Sequence, residues 1–152
     1  MSDVFSKAKR SDVMSRIRSR GNRDTEMVMA KLLRTLDLTG WRRHVALSLT
    51  VQGSTSNLQK NRGAVRPDFV FRERRVALFV DGCFWHACPI HATKPRGNAA
   101  FWREKFERNQ TRDRLVTRLL KAKGWKVIRI WEHELAVKQR AKLERKLMCM
   151  LR

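Results

Sequence analysis

The chain has 152 residues, with 35 Lys and Arg against 14 Asp and Glu and a formal net charge of +21. That length gives one domain with a core of its own and excludes two ordinary ones, while the charge points to a polyanionic partner, nucleic acid foremost, although a ribosomal-type protein or a membrane-surface binder would also be basic. No stretch approaches the roughly 20 apolar residues that span a bilayer, and MSDVFSKAKR has no apolar secretory segment, so a cytoplasmic protein without membrane attachment is expected.

Residues 1–23 read as a basic arm. KAKRSDVMSRIRSRGNR carries many cations, Arg16, Arg18 and Arg20 among them, and little apolar pattern, so it would order only against a partner such as DNA. A solvated tail without function is the rival reading. From residue 24 onward the pattern is that of a single folded domain. Asp24 or Thr25 caps a helix over 25–38 whose Met27, Val28, Leu32, Leu33 and Leu36 share one broad face. A strand is expected over 41–49, followed by a polar connector over 52–64.

Two strands, 65–71 and 75–80, flank the charged turn Arg72-Glu73-Arg74 and form a hairpin. Asn98 caps a long helix through Phe101, Trp102, Phe106, Leu115, Leu119 and Leu120, and Gly124 ends it. WKVIRIW, 125–131, is a strand, and 135–151 a closing amphipathic helix. The order implies an α/β fold in which helices flank a central mixed β-sheet.

Two of the three cysteines and three of the four histidines fall in two short stretches. Cys83, Cys88 and His91 lie five and three residues apart, close enough to bring three borderline-soft ligands to one ion, and zinc is the ion such ligands favour. His133, just past the strand 125–131, would complete a tetrahedral set, and His86 competes for that place. Buried cysteines and core histidines are the plain alternative, but four candidates at this spacing favour a structural zinc that stiffens an irregular loop. Cysteine use of this kind fits a reducing compartment better than a disulfide framework.

A zinc held by four protein ligands does no chemistry, so the acids need a separate account. The hairpin places Asp68, after Pro67, and Asp81 at one end of a sheet, where paired carboxylates suit magnesium, waters and substrate phosphates. Glu26, in the first helical turn, can orient the attacking water, and His86 can donate a proton or touch the scissile phosphate. Each has a plainer reading: Asp68 and Asp81-Gly82 as turn residues, Glu26 as a helix-dipole partner.

Five blocks carry a resemblance: MSRIRSRGNRDTE (14–26), RPDFVF (66–71), FVDGCFWH (79–86), FWREKFERNQTRD (101–113) and GWKVIRIWEHEL (124–135). Together they resemble the very-short-patch repair endonucleases, the Vsr family. The resemblance implies a restriction-endonuclease-like core that binds duplex DNA at a T·G mismatch left by methylcytosine deamination and nicks 5′ to the thymine. It also implies that Asp68 is the principal magnesium ligand, that the Val80 backbone carbonyl supplies a second oxygen, and that Glu26 and His86 are the supporting acid and base. Phe84, Trp85 and Trp102 match positions that wedge into the base stack, which is cheaper at a mismatch than at a paired step; core packing is their other reading.

Three departures stand out. Asp81 occupies a family histidine position and so becomes a candidate metal ligand or orienting carboxylate; His133 replaces a family cysteine; and the polar insertion at 52–64 is additional. A nicking enzyme needs one site, so a monomer is expected, with mismatch-repair accessory proteins as further candidate partners. Two other functions fit the same residues: a restriction or defence endonuclease cutting matched DNA, and a zinc-stabilised DNA-binding protein without catalysis. The second would leave Asp68, Asp81, Glu26 and His86 without a purpose.

Overall fold

A computed structural model describes residues 25–50, 63–91 and 97–151. The basic arm with Arg16, Arg18 and Arg20, and most of the polar insertion, lie outside the described residues.

Four strands form the central sheet in the order β1-β4-β5-β6: β1 (Trp41–Arg43), β4 (Phe69–Phe71), β5 (Val76–Asp81) and β6 (Lys126–Trp131). The first three are antiparallel neighbours, with Trp41 opposite Phe71 and Phe69 opposite Leu78. β6 joins β5 in parallel, Val76 beside Lys126 and Asp81 beside Trp131. A parallel pair cannot be closed by a hairpin, and here the crossover is the segment containing the cysteine loop and α2 (Ala99–Ala122).

Side-chain alternation along these strands decides what covers each face. Phe69, Phe71, Val76, Leu78, Ile128 and Ile130 point to one side and pack against Met29, Ala30, Leu32 and Leu33 of α1 (Glu26–Thr35) and Leu143, Leu147 and Leu151 of α3 (Arg140–Leu151). Val70 and Ala77 point to the other side, against Val116 and Leu120 of α2 and Leu47 and Leu49. Both faces being covered, the fold is a three-layer α/β arrangement around a mixed, mostly antiparallel sheet. Full burial of Phe69 and Phe71 stabilises it by about 2–3 kcal/mol each.

The β4–β5 hairpin, β6 and the span of α2 form where the sequence places them, but Asn98 does not cap α2: its backbone is left-handed at φ 54, not the extended conformation a cap needs, and its side chain makes no capping hydrogen bond, nor does that of Thr25 before α1. Four other elements differ. The strand expected over 41–49 is broken after Arg43: His44 adopts a left-handed backbone with φ 53, and β2 (Leu47–Ser48) leaves the main sheet to pair with β3 (Ala64–Val65). The expected strand 65–71 is accordingly divided between β3 and β4. The closing helix begins at Arg140, after two 3-10 turns, Glu132–Leu135 and Val137–Gln139. Glu134 holds the first of these in place, accepting from the Trp131 N–H at 2.8 Å and pairing with Lys146 of α3 at 2.8 Å.

Helix α1 stops at Thr35, and its buried face is Met29, Ala30, Leu32 and Leu33, with Met27 left 43% exposed. Its end is closed by Leu38 N–H to Leu33 carbonyl and Asp37 N–H to Arg34 carbonyl, with Asp37 left-handed at φ 54. The same pattern ends α2, where Gly124 at φ 78 donates to Lys121 and Trp125 donates to Leu120. Gly124→Ala is therefore expected to cost about 1–2 kcal/mol, read as a lower midpoint in chemical denaturation. An unchanged midpoint would refute the need for glycine there.

Candidate active site

Asp68 precedes β4 and Asp81 ends its neighbour β5, so the hairpin puts both acids at the same end of the sheet. Antiparallel register brings the Val80 N–H onto Asp68 Oδ2 at 2.7 Å. Glu26 reaches the same place from the first turn of α1, although it is 5% exposed and its charge needs partners. Arg43 Nη2 donates to its Oε2 at 2.5 Å, and His44 Nε2 lies 2.9 Å from the same oxygen. The left-handed turn at His44 is what carries its ring off the sheet edge to the acids. Glu26, His44 and Asp68 each offer a ligand atom within 4.8 Å of the others, so this group can hold a cation.

Electrostatics agree with that use. Burial pushes the Asp68 carboxyl from 3.8 up to about 6, and the Glu26 and Asp81 carboxylates push the same way, outweighing the Val80 N–H and His86. A cation at Asp68 would relieve this excess of negative charge.

Asp81, expected beside Asp68 as a second metal ligand, is engaged elsewhere. Both of its oxygens accept from Arg129 Nη1, at 2.7 and 2.8 Å, and it is not part of the group around Asp68. The cause is β6: parallel pairing sets Arg129 beside Phe79, whose ring lies 4.6 Å from the guanidinium. A carboxylate 5% exposed takes the fixed charge within reach.

His86 is committed as well. Its Nδ1 lies 2.5 Å from Asp113 Oδ2 and 3.9 Å from Asp81 Oδ1. Burial raises the Asp113 pKa, but the hydrogen bond and charge of His86, with Arg129 and Arg112, outweigh it and hold that carboxyl below its usual range. One nitrogen of the imidazole is thereby fixed by Asp113.

The remaining competitor, His133, takes its place at the cysteines. Cys83, Cys88, His91 and His133 offer ligand atoms within 4.8 Å of one another. His133 Nδ1 lies 3.3 Å from Cys83 Sγ and 3.5 Å from Cys88 Sγ, and His91 Nδ1 lies 4.0 Å from Cys88 Sγ. Tetrahedral zinc bonded to sulfur and nitrogen at its usual lengths separates the two by about 3.5 Å, so the donor set fits that ion. The loop is shaped for it: Cys88 N–H bonds the Cys83 carbonyl at 2.9 Å, His86 N–H the Gly82 carbonyl at 3.2 Å, and Cys83 N–H the Glu132 carboxylate at 3.0 Å.

The same loop carries the aromatics. Phe84 is in edge contact with Trp85, Trp102 and Phe106, with centroids 5.1 to 5.5 Å apart, and Lys105 Nζ lies 5.5 Å from the Trp85 ring. All four rings are half-buried, and Phe101 beside them is 53% exposed. They form a partly open apolar ledge, not a closed core.

Sequence reasoning missed His44, Asp113 and Arg129. For Asp113 a signal existed: Trp102, Phe106, Asn109 and Asp113 recur at four, three and four residues, one face of α2. Asn109 does share that duty, donating to the Trp85 carbonyl at 2.8 Å.

The family described as DNA mismatch endonuclease Vsr matches residues 37–91. The chain is 35% identical over 133 residues to the DNA mismatch endonuclease Vsr of Escherichia coli K12, covering 87% of this chain and 74% of that one. It is 32% identical over 138 residues to the type II nicking enzyme V.XorIIP of Xanthomonas oryzae pv. oryzae, covering 90% and 88%. With the type II nicking enzyme V.NaeI of Lentzea aerocolonigenes it shares 53% identity over 70 residues, 46% of this chain and 42% of the relative. A sheet-end acid cluster in a strongly basic chain, together with these relatives, defines a DNA endonuclease. The chain belongs to the Vsr DNA mismatch endonuclease family. Among the described residues no helix is long and apolar enough to cross a membrane.

Proposed function

We propose that this endonuclease nicks duplex DNA 5′ to the thymine of a T·G mismatch, using magnesium at Asp68 and the Val80 carbonyl on a restriction-endonuclease-like core stiffened by zinc. The observation that carries the reading is the meeting, at one sheet end, of the raised Asp68 carboxyl, the Glu26–His44 pair and the Asp113-held His86. When bound, magnesium supplies Lewis acidity at the scissile phosphate and makes water a better nucleophile.

This chain's residues do the rest. Asp68 anchors the cation, and Asp81, tied to Arg129, is left out of the ligand set. Glu26, fixed by Arg43 and His44, orients the attacking water. His86 uses Nε2 toward the phosphate or the leaving oxygen, because Asp113 holds Nδ1. Phe84, Trp85 and Trp102 wedge into the stack beside the mismatch. Zinc on Cys83, Cys88, His91 and His133 does not react; it holds the loop that presents Phe84, Trp85 and His86. The arm, 1–23, with Arg16, Arg18 and Arg20, grips phosphates beside the domain 24–152. A monomer acting in the cytoplasm, with mismatch-repair accessory proteins as candidate partners, completes the reading. That relatives are named nicking enzymes supports single-strand cleavage.

The test uses end-labelled duplexes identical except for T·G, T·A or C·G at one position, with magnesium. Nicking confined to the thymine strand of the T·G duplex is expected, whereas equal cutting of matched DNA would replace the mismatch reading with a restriction-type one. Tight binding without cutting of any duplex would sink catalysis by this metal site.

A further inference from the structure

The guanidinium of Arg129, in the middle of β6, stands between two acids. Nη1 bonds both oxygens of Asp81 at 2.7 and 2.8 Å, and Nη2 lies 3.4 Å from Asp113 Oδ1. Nε donates to Thr117 Oγ1 at 3.3 Å, and the plane lies over the Phe79 ring. Every side of the group is thus used, and its orientation is fixed by two elements, β5 and α2.

Both acids also face one atom of His86. Nδ1 lies 2.5 Å from Asp113 and 3.9 Å from Asp81. An imidazole nitrogen makes one such bond well, so the two carboxylates compete for it. Capture by Asp81 would draw the ring toward β5; capture by Asp113 fixes it against α2, as observed. Arg129 decides the competition by occupying both oxygens of Asp81 while giving Asp113 one longer contact. A lysine, with a single point charge and no fork, could not make that division.

We infer that Arg129 is a positioning residue for His86: by holding Asp81, it reserves Nδ1 for Asp113 and so aims Nε2. The inference rests on the proposed role of His86 at the scissile phosphate. It predicts an unusual relation between two substitutions. Arg129→Gln frees Asp81 to compete for His86. Asp81→Asn frees Arg129 to take Asp113 with both nitrogens and draw it from His86. With both changes neither competitor remains.

The experiment measures kcat and KM for nicking of a T·G duplex by zinc-loaded Arg129→Gln, Asp81→Asn and the double variant, together with the 15N shifts of the His86 ring. Each single change is expected to lower kcat by about tenfold or more with KM within about twofold, and the double variant to recover to within about threefold of wild type. The ring shifts should move in each single variant and return in the double. Wild-type kcat in the singles, or a double variant no better than Asp81→Asn, would overturn the inference. If Arg129→Gln fails to fold, because it leaves Asp81 buried without its ion pair, the comparison of the double variant with Asp81→Asn decides alone. A wild-type protein that nicks no duplex while the ring shifts follow this pattern would refute the proposed function and leave the positioning intact.

Discussion

Asp68→Asn is expected to abolish nicking, by about 10³-fold or more, while making the magnesium-free protein more stable. The two effects have one cause. Asp68 is held in a place where burial and two neighbouring acids oppose its charge, and its pKa rises from 3.8 to about 6. Between those values the native protein holds a proton that the unfolded chain has released, so this residue's contribution to stability falls as pH rises through that window, and the loss is complete above it. The full difference is worth about 3 kcal/mol at most. Asparagine cannot ionise, yet its amide oxygen can still accept from Val80.

The measurement is the difference in chemical-denaturation stability between magnesium-free wild type and variant, matched in zinc content at each pH from 3.5 to 7.5. The curves should meet at the acid end and diverge above pH 4, with the variant higher. Parallel curves would show that Asp68 is not under this stress. Magnesium competes with the same proton, so its affinity for wild type should rise with pH up to about 6 and then level.

Removal of zinc is the second large effect. One zinc per chain is expected by elemental analysis, and Cys88→Ser, or chelation, is expected to cost several kcal/mol, lowering Tm by roughly 10 °C or more. Nicking should disappear even with saturating magnesium, because Phe84, Trp85 and His86 ride on the loop between Cys83 and Cys88. Re-addition of zinc, but not of more magnesium, should restore it to the chelated wild type. A purified protein without zinc that melts and nicks normally would exclude this role. Burial and the adjacent Cys88 push the Cys83 thiol up, so zinc uptake should be accompanied by proton release.

How much of this was legible in the sequence follows from the range of each interaction. The β4–β5 hairpin was readable because its alternation and its turn are local, and so was the end of α2 at Gly124; Asn98, read as its cap, stands left-handed before the helix without capping it. The break after Arg43 was not: a histidine takes φ 53 only because Glu26, seventeen and more residues earlier, draws Arg43 and His44 to it. The late start of α3 has a similar origin, since Glu134 bonds the Trp131 N–H and Lys146 instead of continuing a helix. Within the site, the cysteine spacing pointed to a Cys/His group able to hold an ion but left His86 and His133 as rivals. They were separated by Asp113, on another element, which engages His86. Asp81 looked like a metal ligand for the same reason: Arg129, 48 residues away, was invisible from its neighbours.

Cys83 and His133 follow the ends of the two parallel strands and lie 50 residues apart in the chain. A shared ion would therefore fasten the two ends of the crossover, turning the segment between them into a closed ring within which α2 has few places to go. Closing such a loop by diffusion is costly in entropy, and parallel pairs form late in folding for that reason. An ion captured early would meet that cost before β5 and β6 zip together, so availability of zinc would govern how fast the sheet is completed as well as how long it lasts.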